Sequence, residues 1–426
     1  MLKKDEFIVV SDEEAGAVWM PECGGLKATT PEHARAIEAN MDKYFRHELS
    51  LQDEIVLEEY LRKSFQGIPK LSLEETKNLL ERKSLSRLEI MVANDCNLAC
   101  KYCYANAGTY GKRPQRMNSE TAVEYLHKLL DGRYENVDRV TFFGGEPTLC
   151  PDTIQAVCEY FRQAVSYGQL KSLPNYGMVT NGTLIDERMA KIIHDFNIIV
   201  TVSADGPEQI NDLLRVDKTG AGTFQKMKEG IRQIKCAGGE VRLIEATYTA
   251  KHQELGYSRA AVKEFLQQHF NIKNVLVADC EATEWNTGLA CSDSSEEFYN
   301  NSRDKRKILA QLQHKCFSDI ACGNGFTSMA LMPNGEIYPC HFFTEYPEYR
   351  IAEYRENAFD FSGYPDVLNK LQNAYHTKNE SCRECGARFT CPTCAANMII
   401  KKNSICKIIR ENQKSIVLEC VKTHFK

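Results

Sequence analysis

Six apolar runs, most of them followed by an amphipathic stretch, alternate along the chain between residue 88 and about residue 280. The apolar runs have the length of buried strands and occupy 88–93, 139–143, 176–180, 198–203, 241–249 and 274–279. The helical spacing between and after them covers 119–131, 152–166, 186–195, 223–236 and 257–269, and a sixth helix is expected beyond the last strand. Repeated βα units predict a parallel sheet with right-handed crossovers. Because six units fall short of the eight of a closed barrel, we expect an α/β fold with an incomplete, laterally open (β/α)6 barrel.

The pattern before residue 84 is different. Two short β-like runs, at 6–10 and 15–20, flank a polar turn and predict a hairpin. Three helix-like stretches follow, at 31–45, 50–66 and 73–83. The sequence therefore predicts a small N-terminal domain with a hairpin and three helices.

Composition sets bounds on partners and location. The 426 residues suffice for two or three domains of the usual size, and the net charge of −5 does not favour nucleic acid or an anionic membrane as a partner. No apolar run approaches the roughly 20 residues of a membrane helix, and the N-terminus lacks a signal-peptide core. A cytoplasmic location is expected.

The 18 cysteines are the unusual feature of the composition, and many occur in short-spaced groups. Cys96, Cys100 and Cys103 follow the first predicted strand at C-x3-C-x2-C spacing. An iron–sulfur cubane is usually held by four thiolates, so three on one loop leave one iron with an open position. Barrel active sites lie at the C-terminal ends of strands, which is where this loop is expected.

A second set of cysteines lies beyond residue 310, where the βα pattern ends. Its members are Cys316, Cys322, Cys340, Cys382, Cys385, Cys391, Cys394 and Cys406. Paired C-x2-C units indicate either iron–sulfur clusters or zinc ribbons. The seven other cysteines are expected to be mainly small buried hydrophobes: Cys23, Cys150, Cys158, Cys236, Cys280, Cys291 and Cys420.

The first cysteine loop, with Tyr102 just before its last cysteine, resembles the signature of the radical S-adenosylmethionine (SAM) enzymes, and Gly144-Gly145-Glu146-Pro147 is similar to their GGEP motif. The resemblance implies a [4Fe–4S] cluster on Cys96, Cys100 and Cys103 whose open iron binds SAM. It also implies that SAM is cleaved to a 5′-deoxyadenosyl radical. The residues expected around SAM are Tyr102, Gly144, Gly145, Glu146, Pro147, Ser203, Asp205 and Arg215.

The later cysteines resemble the SPASM domain, which carries two auxiliary [4Fe–4S] clusters, so three clusters are expected in all. Carried over by position, the first auxiliary set is Cys316, Cys322, Cys340 and Cys394, and the second is Cys382, Cys385, Cys391 and Cys406. The spacing before Cys394 is one residue shorter than is common, so Cys391 and Cys394 could exchange places. The expected domains are leader recognition (1–83), radical SAM barrel (84–310) and SPASM (311–426).

Among SPASM enzymes, the chain is most similar to maturases of ribosomally made, cysteine-rich precursor peptides. These have a winged-helix-like N-terminal domain that recognises a leader peptide, and they form thioether links from a cysteine sulfur to carbon. The resemblance implies such an activity, with flavodoxin or ferredoxin as external reductant. Alternatives are carbon–carbon crosslinking, formylglycine formation as in anaerobic sulfatase maturases, and a non-catalytic iron–sulfur or zinc scaffold that binds peptides. Sulfatase maturases begin close to their first cysteine loop and carry an aspartate base where this chain has His341.

Three residues are candidate acid–base groups. Glu245 lies on the fifth predicted strand and Asp279 at the end of the sixth, where both could point into the barrel mouth. His341 follows Cys340 directly.

Overall fold

The structure is a computed structural model of the whole chain. The residues that it describes are 1–3, 6–23, 25–67, 83–280, 288–291, 323–372, 380–383, 385, 391, 394–401, 414–415 and 417–422. They form two compact units. The first contains the N-terminal described residues and those from Leu371 onward, and the second contains the described residues from Lys83 to Lys370.

The N-terminal part of the first unit is an antiparallel sheet of three strands followed by two helices. The elements are β1 (Ile8–Ser11), β2 (Gly16–Met20), β3 (Gly25–Thr29), α1 (Pro31–Phe45) and α2 (Leu51–Ser64). The predicted hairpin is present as β1 and β2. The third strand was not predicted, because Gly-Leu-Lys-Ala-Thr lacks the β-branched or aromatic run that marks a strand in sequence. The predicted third helix falls almost wholly outside the described residues, so the winged-helix assignment stays a prediction.

Apolar residues from both the sheet and the helices form one core in this unit. Phe7 and Val18 of the sheet region pack with Ile37 of α1 and Leu61 of α2.

Thr30 begins α1 by accepting a hydrogen bond from the His33 amide, and Pro31 occupies the first helical turn. The sequence signal for the start of α1 is therefore confirmed.

The second unit is built on a ten-stranded sheet whose first six strands are parallel. In spatial order these are β11 (Val275–Asp279), β10 (Val241–Tyr248), β9 (Ile199–Ser203), β8 (Asn175–Thr180), β7 (Arg139–Gly144) and β5 (Arg87–Ala93). All five neighbouring pairs are parallel. The prediction of six βα strands is confirmed. The two-residue strands β4 (Ser84–Leu85) and β6 (Asn136–Val137) pair separately.

Helices cover the outer face of these strands. They are α3 (Ser119–Leu130), α4 (Pro151–Ser166), α5 (Glu187–Asp195), α6 (Glu208–Leu214), α7 (Phe224–Cys236), α8 (Ala250–Glu254) and α9 (Arg259–Phe270). The five predicted helices of this region are present. The short helices α6 and α8 were not predicted, since five to seven residues carry too little periodicity to identify. The expected sixth helix lies outside the described residues.

Four further strands extend the sheet beyond the barrel. They are β12 (Ser328–Leu331), β13 (Glu336–Tyr338), β14 (Ala352–Arg355) and β15 (Ala358–Asp360). β12 runs parallel to β5, and the remaining strands follow it antiparallel. Residues that follow β13 are thereby brought beside the first barrel strand. Later helical segments are α10 (Tyr364–Leu371), α11 (Glu380–Arg383) and a π-helical turn, Asn397–Lys401.

The two faces of the barrel strands differ in burial. On β8, for example, Tyr176 and Met178 are buried against the helices, whereas Gly177 and Val179 are only half-buried. The same alternation recurs on β7, β9 and β10. The inner face is therefore accessible to a bound molecule, as an open barrel requires.

Within the described residues, no helix has the length and apolar character needed to cross a lipid bilayer.

Candidate functional site

The three-cysteine loop starts three residues after β5 and is fixed by hydrogen bonds from two other parts of the chain. After β8, the Asn181 side-chain amide donates to Asn97 Oδ1 at 2.9 Å and lies 3.8 Å from the Cys96 sulfur. At the end of α6 and just beyond it, the carbonyls of Leu214 and Val216 accept from loop amides at 3.0 and 2.8 Å. The loop is thus held at the C-terminal ends of the barrel strands.

The three thiols of this loop influence one another electrostatically. Burial, the Glu146 carboxylate and the Cys100 and Cys103 thiols together raise the pKa of Cys96 to about 12. Burial likewise raises the pKa of Cys100 to about 11, while Arg215 lowers it. Buried thiols with raised pKa values are protonated at neutral pH, so metal binding must displace their protons.

Gly144 and Gly145 allow the turn after β7 to touch the backbone that leads into the cysteine loop. Gly144 has φ of 137°, and a Cβ atom there would lie 2.1 Å from the Ala93 carbonyl oxygen. A Cβ atom on Gly145 would lie 2.3 Å from the Asp95 carbonyl oxygen. Only glycine permits these approaches.

Glu146 connects this turn to the end of β8. Its carboxylate is 1% exposed and accepts from both the amide and the hydroxyl of Thr148, from the Thr180 hydroxyl and from the Asn181 amide. Burial raises the pKa of Glu146, and these four donors lower it in part. A carboxylate offers about four acceptor positions, and here four donors use them. Glu146 therefore ties the turn after β7 to the end of β8. Its direct contact with SAM stays a prediction.

Tyr102, Asp205 and Arg215, which the sequence placed around one ligand, form one buried group. The Tyr102 hydroxyl donates to Asp205 Oδ2 at 2.6 Å and accepts from Arg215 Nη1. Arg215 Nη1 is 3.8 Å from Asp205 Oδ1. Although burial lowers it, the pKa of Arg215 is raised well above its usual value by Tyr102, Cys100 and Asp205. A permanent positive charge therefore lies beside Cys100.

His252 supports this group and was missed as a site residue. Its ring is fully buried, and its Nδ1 accepts from the Thr249 amide at 3.0 Å. Nε2 therefore carries the proton of the neutral ring and donates to the Asp205 carbonyl oxygen at 2.8 Å. Burial lowers the pKa of His252, consistent with a neutral ring. The capping of α8 by Thr249 is the sequence feature that could have indicated this position.

A second buried carboxylate, Glu89 of β5, was also missed. It is 3% exposed and its Oε2 accepts from the backbone amide of His341 at 3.0 Å and lies 3.1 Å from His341 Nδ1. Although burial raises it, the pKa of Glu89 is lowered to about 2 by His341 and Arg87. The His341 ring also lies 4.6 Å from the ring of Phe143, which is on the half-buried inner face of β7.

The other predicted site residues lie on the inner face or at its rim. Ser203 ends β9 and pairs in register with Glu245, which in turn pairs with Leu276. Asp279 ends β11, and its Oδ1 accepts from Arg259 Nε at 2.7 Å. This ion pair gives Asp279 a structural partner. The acid–base roles of Glu245 and Asp279 stay predictions.

Residues 90–250 match the model of the radical SAM superfamily. They contain the cysteine loop, the Gly144–Pro147 turn and the group around Arg215. The chain contains a radical SAM domain.

Similarity to known proteins extends beyond this domain. The cysteine-type anaerobic sulfatase-maturating enzyme of Clostridium novyi is 24% identical over 344 residues, which are 71% of this chain and 85% of the relative. The solved structure of native anSMEcpe with bound AdoMet has a TM-score of 0.61 at 21% identity, covering 79% of this chain and 96% of that one. Streptococcus suis SuiB bound to precursor peptide SuiA has a TM-score of 0.53 at 16% identity, covering 95% and 99%. The chain is homologous to the sulfatase-maturating enzymes and shares its fold with SuiB.

The residues of the radical SAM domain fit the cofactors of the superfamily, a [4Fe–4S] cluster and SAM. Three mutually interacting thiols lie on one loop at the barrel mouth, and thiolates are the ligands of such clusters. The Arg215 guanidinium beside Cys100 is suited to a carboxylate. Within the described residues, no three metal-ligating side chains converge as the ligands of a single metal ion would.

The cysteines predicted to hold auxiliary clusters are described only in part. Cys340 is buried, and its sulfur accepts from Asn324 Nδ2 at 3.2 Å. The Cys385 amide donates to the Cys382 carbonyl at 3.0 Å, as in a turn. Cys391 and Cys394 are described, whereas Cys316, Cys322 and Cys406 lie outside the described residues. Both auxiliary ligand sets, and the zinc alternative, stay predictions.

Proposed function

We propose that this chain is a radical SAM maturase that modifies a cysteine-rich precursor peptide by forming thioether crosslinks. The observation that carries the proposal is the cysteine loop at the mouth of an open parallel barrel, with the Tyr102–Asp205–Arg215 group beside Cys100. When bound, the cluster and SAM would supply a 5′-deoxyadenosyl radical that removes a hydrogen atom from the substrate.

The chain's own residues would hold these cofactors in place. Cys96, Cys100 and Cys103 would ligate the cluster, and Arg215, kept charged by Asp205, would receive the SAM carboxylate. The Gly144–Gly145 turn and Ser203 would line the SAM site. Two auxiliary clusters on the later cysteines would accept the surplus electron, and flavodoxin or ferredoxin would reduce the enzyme.

The first unit supports a peptide substrate. SuiB, whose structure contains a bound precursor peptide, matches 95% of this chain, whereas the match to anSMEcpe covers 79%. A sheet with an edge strand, such as β3, can accept an extended peptide by strand addition. We propose that residues 1–83 recognise a leader in this way, with a barrel domain at 84–310 and a SPASM domain at 311–426.

His341 is the proposed acid–base residue of the reaction. Its Nδ1 faces Glu89, so its other ring nitrogen is left for a substrate group such as a cysteine thiol. Glu89 would position the ring and stabilise it when it gains a proton. The half-buried Glu245 is the competing candidate on the inner face.

Formylglycine formation is equally supported as the reaction. The sulfatase-maturating enzyme of Clostridium novyi spans 71% of this chain, and anSMEcpe has the higher TM-score of the two solved structures. Both reactions would use the same cofactor site and a cysteine in the substrate. They differ in the product, because a thioether retains the cysteine sulfur and formylglycine loses it.

Anaerobic reconstitution tests the cofactor part of the proposal. Three four-iron clusters correspond to roughly 12 iron atoms per chain. With SAM and dithionite, the loaded enzyme should release 5′-deoxyadenosine, and the triple variant with Cys96, Cys100 and Cys103 changed to alanine should release none. Cys236→Ala, an exposed cysteine on α7, is the matched control and should retain turnover. Turnover by the triple variant would refute the proposal, and a scaffold would release no 5′-deoxyadenosine even when loaded.

Mass spectrometry of a co-expressed cysteine-rich peptide separates the two reactions. A thioether lowers the peptide mass by two hydrogens and consumes one alkylatable thiol per link. Formylglycine instead replaces the cysteine sulfur by oxygen. Loss of two hydrogens without loss of a thiol would indicate a carbon–carbon crosslink and would contradict the thioether assignment.

A further inference from the structure

Two cysteines outside the cluster ligand sets, Cys280 and Cys291, lie together after the last barrel strand. The Cys291 amide donates to the Cys280 carbonyl at 3.3 Å. Both residues also contact the carbonyl oxygen of Tyr248, at the end of β10. The Cys280 amide donates to it at 2.7 Å, and the Cys291 sulfur lies 3.5 Å from it.

This arrangement places the two backbones in direct contact. The two side chains also interact, because Cys291 acts electrostatically on the Cys280 thiol. The structure records both residues as thiols. The two cysteines are therefore a candidate pair for reversible disulfide formation.

The pair lies beside the cysteine loop of the radical SAM site. Cys280 belongs to a small buried cluster with Tyr102, Ile210 and Leu214, and Cys100 packs against that cluster. The two thiols thus lie at the C-terminal end of the barrel strands, where the substrate is expected to enter.

The two thiols differ in a way that suits a nucleophile and its resolving partner. Cys291 is half-buried and interacts electrostatically with the Arg259 guanidinium. Cys280 is 4% exposed. Burial, together with the neighbouring Cys291, Asp205 and Asp279, raises its pKa to about 12. An accessible thiol near a cation is the typical attacking group in thiol–disulfide exchange, and a buried neighbour is typical of the second.

We propose that Cys280 and Cys291 form a redox pair that reduces disulfides in the cysteine-bearing substrate peptide. The Cys291 sulfur attacks one sulfur of the peptide disulfide, which breaks the peptide's sulfur–sulfur bond and releases one peptide thiolate. The Cys280 sulfur then attacks the mixed disulfide, forms the Cys280–Cys291 bond and releases the second. The peptide gains two electrons, the pair loses two, and the two thiol protons pass to the released thiolates.

This inference rests on the proposed function, because a thioether or formylglycine can form only from a reduced substrate cysteine. A peptide oxidised to its disulfide would block both reactions. A dithiol at the barrel mouth would restore the thiols where they are used.

The experiment uses the full chain with its clusters loaded, kept anaerobic, without SAM or dithionite. The probe is a synthetic peptide closed by one intramolecular disulfide. After acid quench and alkylation, mass spectrometry of the digest should show a Cys280–Cys291 disulfide forming one-for-one with the loss of the peptide disulfide. SAM cleavage is measured separately with a linear peptide, so failure of the proposed function and failure of this inference give different results.

Single variants separate the roles of the two thiols. Cys280→Ser should trap a mixed disulfide between Cys291 and the peptide. Cys291→Ser, at the more accessible position, should slow peptide reduction by at least about tenfold because the attacking thiolate is lost. Cys236→Ser should reduce the peptide as the unmodified chain does. Absence of the Cys280–Cys291 disulfide in the unmodified chain, or reduction at the unmodified rate by Cys291→Ser, would overturn the inference.

Discussion

Two buried carboxylates of the radical SAM domain differ in the partner that balances their charge. Asp205 is fully buried and pairs with Arg215 and Tyr102, beside Cys100. Glu89 is almost as buried but pairs with His341, directly after Cys340. An arginine keeps its charge across the ordinary pH range, whereas a histidine side chain in general exchanges a proton near neutrality.

The difference assigns the two groups different tasks. The Asp205 group holds a fixed positive charge where SAM is proposed to bind, and its local partners, His252 and Thr247, leave it little freedom to rearrange. Glu89 instead accepts from the backbone amide of His341 and lies 3.1 Å from Nδ1 of its ring. On the proposed function, the Asp205 group would serve cofactor binding and the Glu89–His341 pair would serve proton transfer.

Removing the negative charge of Asp205 should have the largest effect on folding stability. Asp205→Asn keeps the shape of the side chain but leaves Arg215 buried without its ion-pair partner, which typically costs about 3–5 kcal/mol. Urea unfolding of the variant should show a loss of this order. Glu208→Gln, on the exposed surface of α6, is the control and should change stability by no more than about 0.5 kcal/mol. Equal losses in the two variants would mean that Asp205 and Arg215 are not a tightly coupled pair.

The folding stability at acidic pH should depend on the ionisation of Glu89. Because its pKa falls from the usual 4.5 to about 2 in the folded chain, its charged form stabilises the fold above pH 4.5. This contribution is lost as the pH falls from 4.5 through about 2. The free-energy difference between the unmodified chain and Glu89→Gln, up to about 3 kcal/mol near neutral pH, should therefore shrink with acidification. A difference that stays constant from pH 6 to pH 3 would contradict the lowered pKa.

Glu89→Gln should also slow modification of the peptide. The amide can still accept from the His341 backbone, but it cannot stabilise a protonated ring, so the rate should fall roughly tenfold. The peptide step should be affected more than SAM cleavage without peptide, as measured by product mass and by 5′-deoxyadenosine. Glu245→Gln, on the same inner face, provides the comparison. A larger loss in Glu245→Gln would transfer the acid–base role to that side chain.

The sequence predicted the barrel strands and the residues of the Asp205 group, but not the pairing of Glu89 with His341. The six strands were identifiable because their apolar runs are long and bounded by helical spacing, and Tyr102, Asp205 and Arg215 could be placed by motif. Glu89 stands inside the run Leu-Glu-Ile-Met-Val, where a polar residue indicates only a position on one face. Its partner lies 252 residues later, and only the pairing of β12 with β5 brings the two together. The third strand of the first unit and the helices α6 and α8 were missed because short elements are fixed by tertiary contacts.

The smallest effect on catalysis is expected at Asp279, a third carboxylate, which the sequence placed among the acid–base candidates. Its partner Arg259 has a side chain that is 6% exposed and lies 4.4 Å from the ring of Tyr248. Like Asp205, Asp279 thus faces a cation that cannot release its proton. Asp279→Asn should cost about 1–3 kcal/mol of folding stability, less than Asp205→Asn because the Tyr248 ring still stabilises the guanidinium. Peptide modification, measured under conditions in which the variant is fully folded, should change by less than about twofold. A loss as large as that of Glu89→Gln, with an altered pH–rate profile, would instead make Asp279 a proton-transfer group, and the nature of the partner would then not distinguish the two tasks.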